Sequence, residues 1–199
     1  MSCFVLMVCF LSFSGVSVYA YESFKGVAMH SLDDLSKRIA EAEPGDDIFL
    51  EEGHYTGSGC VLSGKGTESR PVVVQARTTG GVTFADPVLL ESDYVVLEGI
   101  QFVENGNLEI LGTGCRITRC TWTDVQVGKR VRVRPRSKQI EIGFCRFQDK
   151  TSNLDKYRDC QLMQIVVRNE GELHHIHHNH FLDVLEGKSN NGYETLQLI

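Results

Sequence analysis

Apolar and polar residues alternate in short runs along most of this chain, and one stretch breaks the rhythm with a helical period. In "SLDDLSKRIAEA", residues 31–42, Leu32, Leu35 and Ile39 recur at spacings of three and four, which places them on one face of a helix. Ser31 stands where a hydroxyl can cap the first turn, and Asp33 and Asp34 lie where the helix dipole favours carboxylates. Pro44-Gly45 ends the helix. The remaining pattern predicts strands: "DIFLEEGHY", "RPVVVQA", "GVTFAD", "DYVVLEGIQF" and "CRITRCTW" are short, rich in Val, Ile, Phe and Tyr, and bounded by turn residues.

Sliding these runs over one another exposes a repeat. "VVLEGIQF", "CRITRCTW", "IEIGFCRF" and "HHIHHNHF" end on Phe102, Trp122, Phe147 and Phe181. Five residues before each aromatic stands Leu97, Ile117, Ile142 or Ile176. Two before it stands Ile100, Cys120, Cys145 or Asn179, and seven before it Val95, Cys115, Ile140 or His174. The inward positions keep their offsets while the intervals between copies vary. A solenoid has that property, because each coil needs only its neighbours and loops can grow outward. Strand runs without intervening helices make it a β-solenoid of parallel strands, with the helix at 31–42 covering the open end of the stack. A β-sandwich competes as an architecture but does not account for the constant offsets.

Composition narrows the class. A chain of 199 residues with 42% hydrophobic content buries one sizeable core. A net charge of −6 argues against a general nucleic-acid binder. The apolar run Cys3–Phe13, followed by Val18-Tyr19-Ala20, reads as a secretory signal peptide over 1–20, too short for a membrane span. The expected protein is therefore secreted or periplasmic, with residues 21–199 as a β-helix domain, monomeric and free of the membrane once the signal is removed. Beyond the signal remain Cys60, Cys115, Cys120, Cys145 and Cys160, an odd and unevenly spaced set without a CxxC pair. Neither a disulfide framework nor a zinc ribbon fits it; buried thiols are expected, with Cys120 and Cys145 stacked on adjacent coils.

Two polar stretches carry candidate chemistry. Five histidines fall within residues 174–180. Repeat parity turns His174 inward with Ile176, His175 and His177 outward, and, past the bend, His178 and His180 outward while Asn179 points in. Rings divided among faces do not converge on a zinc ion, so they are read as surface groups, some within reach of substrate. Asn179 is read as structural, bonding backbone groups at a turn. In "GKRVRVRPRSK", Arg130, Arg132, Arg134, Arg136 and Lys138 alternate with Val131, Val133, Pro135 and Ser137. On an extended strand these five cations would share one face at a repeat of about 6.6 Å, suited to gripping a polyanionic sugar chain. A solvated edge guarded by charge is the alternative.

The stretches "GDDIFLEEGHYTG", "GKGTESRPVVVQARTTGGVTF", "DYVVLEGIQF" and "HHIHHNHF", followed by "NNGYETLQLI", resemble polysaccharide lyase family six in order and spacing. That family comprises alginate lyases and chondroitinase B, secreted right-handed parallel β-helix enzymes. The resemblance implies an all-β right-handed parallel β-helix with an N-terminal capping helix and an acidic polysaccharide (alginate, or chondroitin or dermatan sulfate) as partner. It also implies calcium as cofactor, with Asn191 as one ligand. It implies cleavage by β-elimination, and Gln197 stands where the family usually has an arginine. The family's acidic calcium ligands, its base lysine and its acid arginine would fall after Ile199, so no catalytic residue is expected within the chain, which reads as a fragment ending in mid-coil. A non-catalytic secreted β-helix that binds acidic polysaccharide, and another β-helix enzyme such as a pectate lyase or a hydrolase, remain as alternatives.

Overall fold

The computed structural model describes residues 31–125, 128–149, 161–182 and 195–199; residues 1–20, expected from the sequence to be a signal peptide, lie outside them. Helix α1 (Leu32–Ala40) opens the described chain, two residues shorter at its end than the apolar period suggests. Ser31 caps it in extended conformation, its hydroxyl accepting from the Asp34 N–H at 3.1 Å. Leu32, Leu35 and Ile39 are fully buried in the main core.

Six coils follow. The first holds β1 (Asp47–Leu50), β2 (Gly53–Tyr55) and β3 (Cys60–Leu62); the second holds β4 (Val72–Ala76), β5 (Val82–Phe84) and β6 (Val88–Glu91). The third holds β7 (Val95–Glu98), β8 (Gln101–Phe102) and β9 (Leu108–Leu111), and the fourth β10 (Arg116–Thr118), β11 (Thr121–Thr123) and β12 (Lys129–Val133). The fifth holds β13 (Glu141–Gly143), β14 (Arg146–Gln148) and β15 (Gln161–Ile165), and the sixth β16 (His175–His177), β17 (His180–Phe181) and β18 (Leu196–Leu198). Like strands of successive coils pair in parallel, giving three six-stranded sheets: A from the first strand of every coil, B from the second and C from the third. The chain is a parallel β-helix.

The repeat found in the sequence is a set of physical columns. Ile48, Val74, Leu97, Ile117, Ile142 and Ile176 stand in register along the inside of sheet A. Tyr55, Phe84, Phe102, Trp122, Phe147 and Phe181 do the same along sheet B. From Phe102 onward the rings stack nearly flat: Phe102 on Trp122 at 4.6 Å and 1°, Trp122 on Phe147 at 4.8 Å and 6°, Phe147 on Phe181 at 5.0 Å and 12°. Such spacing is the inter-strand distance itself, so parallel stacking follows from register.

The corners repeat as well. Gly99, Arg119, Phe144 and His178, each three residues before its aromatic, all adopt positive φ between 51° and 74°. Glycine takes this conformation freely, whereas the other three pay for it, at about 1–2 kcal/mol each. The corner is held by bonds to the coil before: Thr121 N–H to Ile100 O, Arg146 N–H to Cys120 O and His180 N–H to Cys145 O, at 2.8–2.9 Å. Asn179 points in, as its repeat position requires. Its Oδ1 accepts from Cys145 N–H at 3.0 Å and its Nδ2 donates to Ile142 O at 2.9 Å. Cys120 and Cys145 occupy equivalent positions on adjacent coils, and both are buried free thiols. The helix closes the first-coil end, with Ser36 Oγ donating to Val61 O at 2.6 Å and Leu32 N–H to Thr56 O at 3.0 Å.

Candidate functional site

Strand β12 carries the basic stretch, and its alternation divides it in two. Val131 and Val133 point inward, in register with Leu108 and Ile110 below and Met163 and Ile165 above. Arg132 therefore points outward, between Glu109 and Gln164, and Gln164 is followed in register by Gln197. Two guanidiniums meet one carboxylate here. Arg132 Nη1 lies 3.9 Å from Glu109 Oε1, and Arg134 Nε lies 3.4 Å from Glu109 Oε2. All three side chains are about a third exposed, so each pair contributes about 0–1 kcal/mol and can be opened by a competing anion. Above them Gln164 Nε2 donates to Gln197 Oε1 at 2.6 Å.

The single row of five cations does not form. Arg130 is only 1% exposed. The strand stops at Val133, and Pro135-Arg136 turn the chain, with Ser137 N–H donating to Arg134 O at 3.2 Å and Arg136 at a φ of 76°. Proline supplies no N–H for the ladder and fixes a turn instead. Ser137 is buried, its hydroxyl donating to Ile110 O at 3.0 Å, and Lys138 resumes pairing on the next edge, opposite Thr113. The stretch thus yields a buried Arg130, an outward pair Arg132 and Arg134 around Glu109, and exposed Arg136 and Lys138 beyond a turn.

The histidines are divided among faces as parity indicates. His174 lies inside, its Nδ1 accepting from Ile140 N–H at 3.3 Å, and burial pushes its pKa down while nearby Glu172 opposes that shift. Glu172 closes the turn before β16, accepting from the Arg168 N–H and from Asn169, which hold its carboxyl below the usual carboxylate range. His175 and His177 point out from sheet A, and His178 sits at the corner. Parity within one strand does not reveal that His175 and His177 meet a carboxylate of the coil before, Glu141.

Burial pushes the thiols of Cys60 and Cys115 up to about 12 and about 11, and holds Cys120 well above its usual range, so these three cysteines are packing groups rather than nucleophiles. Asn191 lies outside the described residues. The described oxygens on the sheet C face do not amount to a calcium shell. Glu109 is held by two arginines, Gln197 Oε1 is engaged, and Gln164 Oε1 is a single buried oxygen without a hydrogen-bond partner among the described residues. Calcium takes six to eight oxygens.

Comparison with known proteins agrees with this architecture. A mannuronic-acid-specific polysaccharide family 6 lyase from human gut microbiota superposes with a TM-score of 0.69 at 19% identity, over 85% of this chain and 43% of that one. The family 6 alginate lyase AlyGC gives 0.59 at 18% identity, over 74% of this chain and 22% of that one. The family 6 polysaccharide lyase Pedsa3628 from Pseudopedobacter saltans gives 0.55 at 16% identity, over 77% and 46%. At such identities the likeness is one of fold, and this chain spans less than half the length of each. No curated protein sequence matches it significantly. The chondroitinase B family model matches residues 29–198, and with the inward columns, the corners and the helical cap all inside that span, this chain belongs to the chondroitinase B family of polysaccharide lyase family six.

Proposed function

We propose that this chain contributes the polysaccharide-gripping part of a lyase that cleaves uronic-acid polymers, such as alginate or chondroitin/dermatan sulfate, by calcium-assisted β-elimination. The observation that carries the reading, beside family membership, is the outward group Glu109–Arg132–Arg134 on sheet C. Arginine forks match a carboxylate in pairs, and a sugar carboxylate can replace Glu109 with little loss because the existing pairs are partly solvated. Glu109 keeps the two guanidiniums from repelling each other while no substrate is present. Gln164 and Gln197 continue the same row, and the half-buried Gln197 amide can bond a sugar hydroxyl.

In β-elimination the C5 proton leaves and the 4-linked oxygen is expelled, so the carboxylate at C5 must be relieved of charge. Calcium, when bound, would supply that neutralisation, and Asn191 would offer one of the oxygens that hold it. The resemblance assigns neither the base lysine nor the acid arginine to any of the 199 residues. This chain alone is therefore expected to bind polyanion without turning it over. The reading also includes export, with residues 1–20 as signal peptide; the mature protein recovered from expressing cells should begin near Tyr21.

The test combines binding and turnover. Retention of the purified chain on immobilised alginate or dermatan sulfate should weaken with salt and fall further in a double Arg132→Ala, Arg134→Ala variant. Unchanged retention in that variant removes the gripping role. Elimination is followed as the rise in ultraviolet absorbance from the unsaturated sugar end. Calcium-dependent turnover by the 199-residue chain would mean that base and acid reside among these residues.

A further inference from the structure

Outside sheet C, the described residues hold one grouping with the donor chemistry of a metal site. It lies on the outer face of sheet A, across the fifth and sixth coils. His175 and His177 are two residues apart on β16, so both rings stand on the same side of the strand. Glu141, on β13, is the in-register neighbour of His175. One ligand atom from each of the three lies within 4.8 Å of the others. The rings of His175 and His177 lie 4.3 Å apart at 29°, and His177 Nε2 is 3.2 Å from Glu141 Oε1.

We propose that Glu141, His175 and His177 form a binding site for a borderline divalent transition-metal ion of the zinc class. Two imidazoles and a carboxylate suit zinc and its neighbours, whereas calcium takes oxygen ligands. Around tetrahedral zinc, with bonds of about 2.0–2.1 Å, ligand atoms stand about 3.4 Å apart. The His177–Glu141 separation already fits. The remaining separations, all within 4.8 Å, can close by turning the exposed His175 ring.

The setting of His177 supports this role. Its ring lies over Gly143, the in-register residue of the coil before, where an added Cβ would come within 2.5 Å of Cε1 and Nε2. Any larger residue would expel the ring from its place beside Glu141. His177 Nδ1 lies 2.9 Å from His178 Nδ1, and Phe144 stacks on His178 at 4.9 Å and meets His177 edge-on at 5.3 Å. With His178 as acceptor, His177 donates from Nδ1 and presents the Nε2 lone pair toward Glu141, as metal-binding histidines commonly do. Arg116 stands in register with Glu141 on its other side. Three protein ligands leave one position for water or a sugar oxygen. Because Glu141 and the histidines come from successive coils, the ion ties those coils together.

The test uses the full chain, expressed without a histidine tag and with thiols reduced, titrated with Zn2+ by calorimetry and with Co2+ by its visible absorption. One ion per chain is expected at micromolar affinity, without the near-ultraviolet charge-transfer band of cobalt–thiolate bonds. Affinity should fall about tenfold or more in each of His175→Gln, His177→Gln and Glu141→Gln, remain in His180→Gln, and resist excess Ca2+. Circular dichroism of each variant confirms that the fold is kept, and His175→Gln, altering an exposed ring, is the safest of them. Absence of binding, wild-type affinity in both His175→Gln and His177→Gln, or displacement by Ca2+ would overturn the site.

Discussion

The two faces of sheet A run side by side through six coils and obey different rules. Inside, the column reads Ile48, Val74, Leu97, Ile117, Ile142, Ile176: branched and apolar at every level. Outside, one residue further along the same strands, it reads Phe49, Gln75, Glu98, Thr118, Gly143, His177, with no two alike. The inner column meets the same environment at each coil, so packing selects the same kind of residue. The outer column meets solvent and whatever binds there, so each coil is free to carry a different chemical group. The fold lives in the repetition, and recognition lives in its absence.

Breaking the inner pattern should have the largest effect. Trp122, the only tryptophan, is fully buried between Phe102 and Phe147, and Trp122→Ala should cost about 3–5 kcal/mol, read as a lowered denaturant midpoint. Trp122→Phe should cost far less, because Trp122 Nε1 has no hydrogen-bond partner among the described residues and the flat stack is kept. Asn179→Leu comes next. It leaves the Cys145 N–H and the Ile142 carbonyl without their partner, at about 1–3 kcal/mol each at most, with faster amide exchange at Cys145 as the local signature.

His174 sharpens the comparison through pH. Its pKa is depressed in the fold by burial, so the unfolded chain takes up the proton first as pH falls below the ordinary value of 6.5. The neutral ring's contribution is complete above that value and is lost as pH drops toward the folded value. Wild type should lose midpoint between pH 7 and 5 by an increment that His174→Leu lacks; equal slopes in the two proteins would refute the assignment. Outer-face changes should be smallest in stability. Glu109→Gln and Arg132→Ala should each stay within about 0.5 kcal/mol, yet move polyanion retention in opposite directions, upward for the first and downward for the second.

Legibility followed the same division. The solenoid was readable because Leu97, Ile117, Ile142 and Ile176 keep one offset from Phe102, Trp122, Phe147 and Phe181, and a constant offset is a linear property of the chain. The inward Asn179 was readable for the same reason. The basic stretch is less legible, since alternation from Arg130 to Lys138 implies an extended run while Pro135 and the positive φ of Arg136 bend it into a turn.

What sequence alone determined is the inner wall: which residues face the core, where the helix caps the stack, and that successive runs lie one above another. What only the tertiary structure decided is the company each outward residue keeps. Glu109 lies more than twenty positions before Arg132, and Glu141 more than thirty before His175, so no local pattern joins them. Their meeting depends on the length of each coil and hence on the register between strands. That register is set by all the inward contacts at once, and the outer groups inherit it.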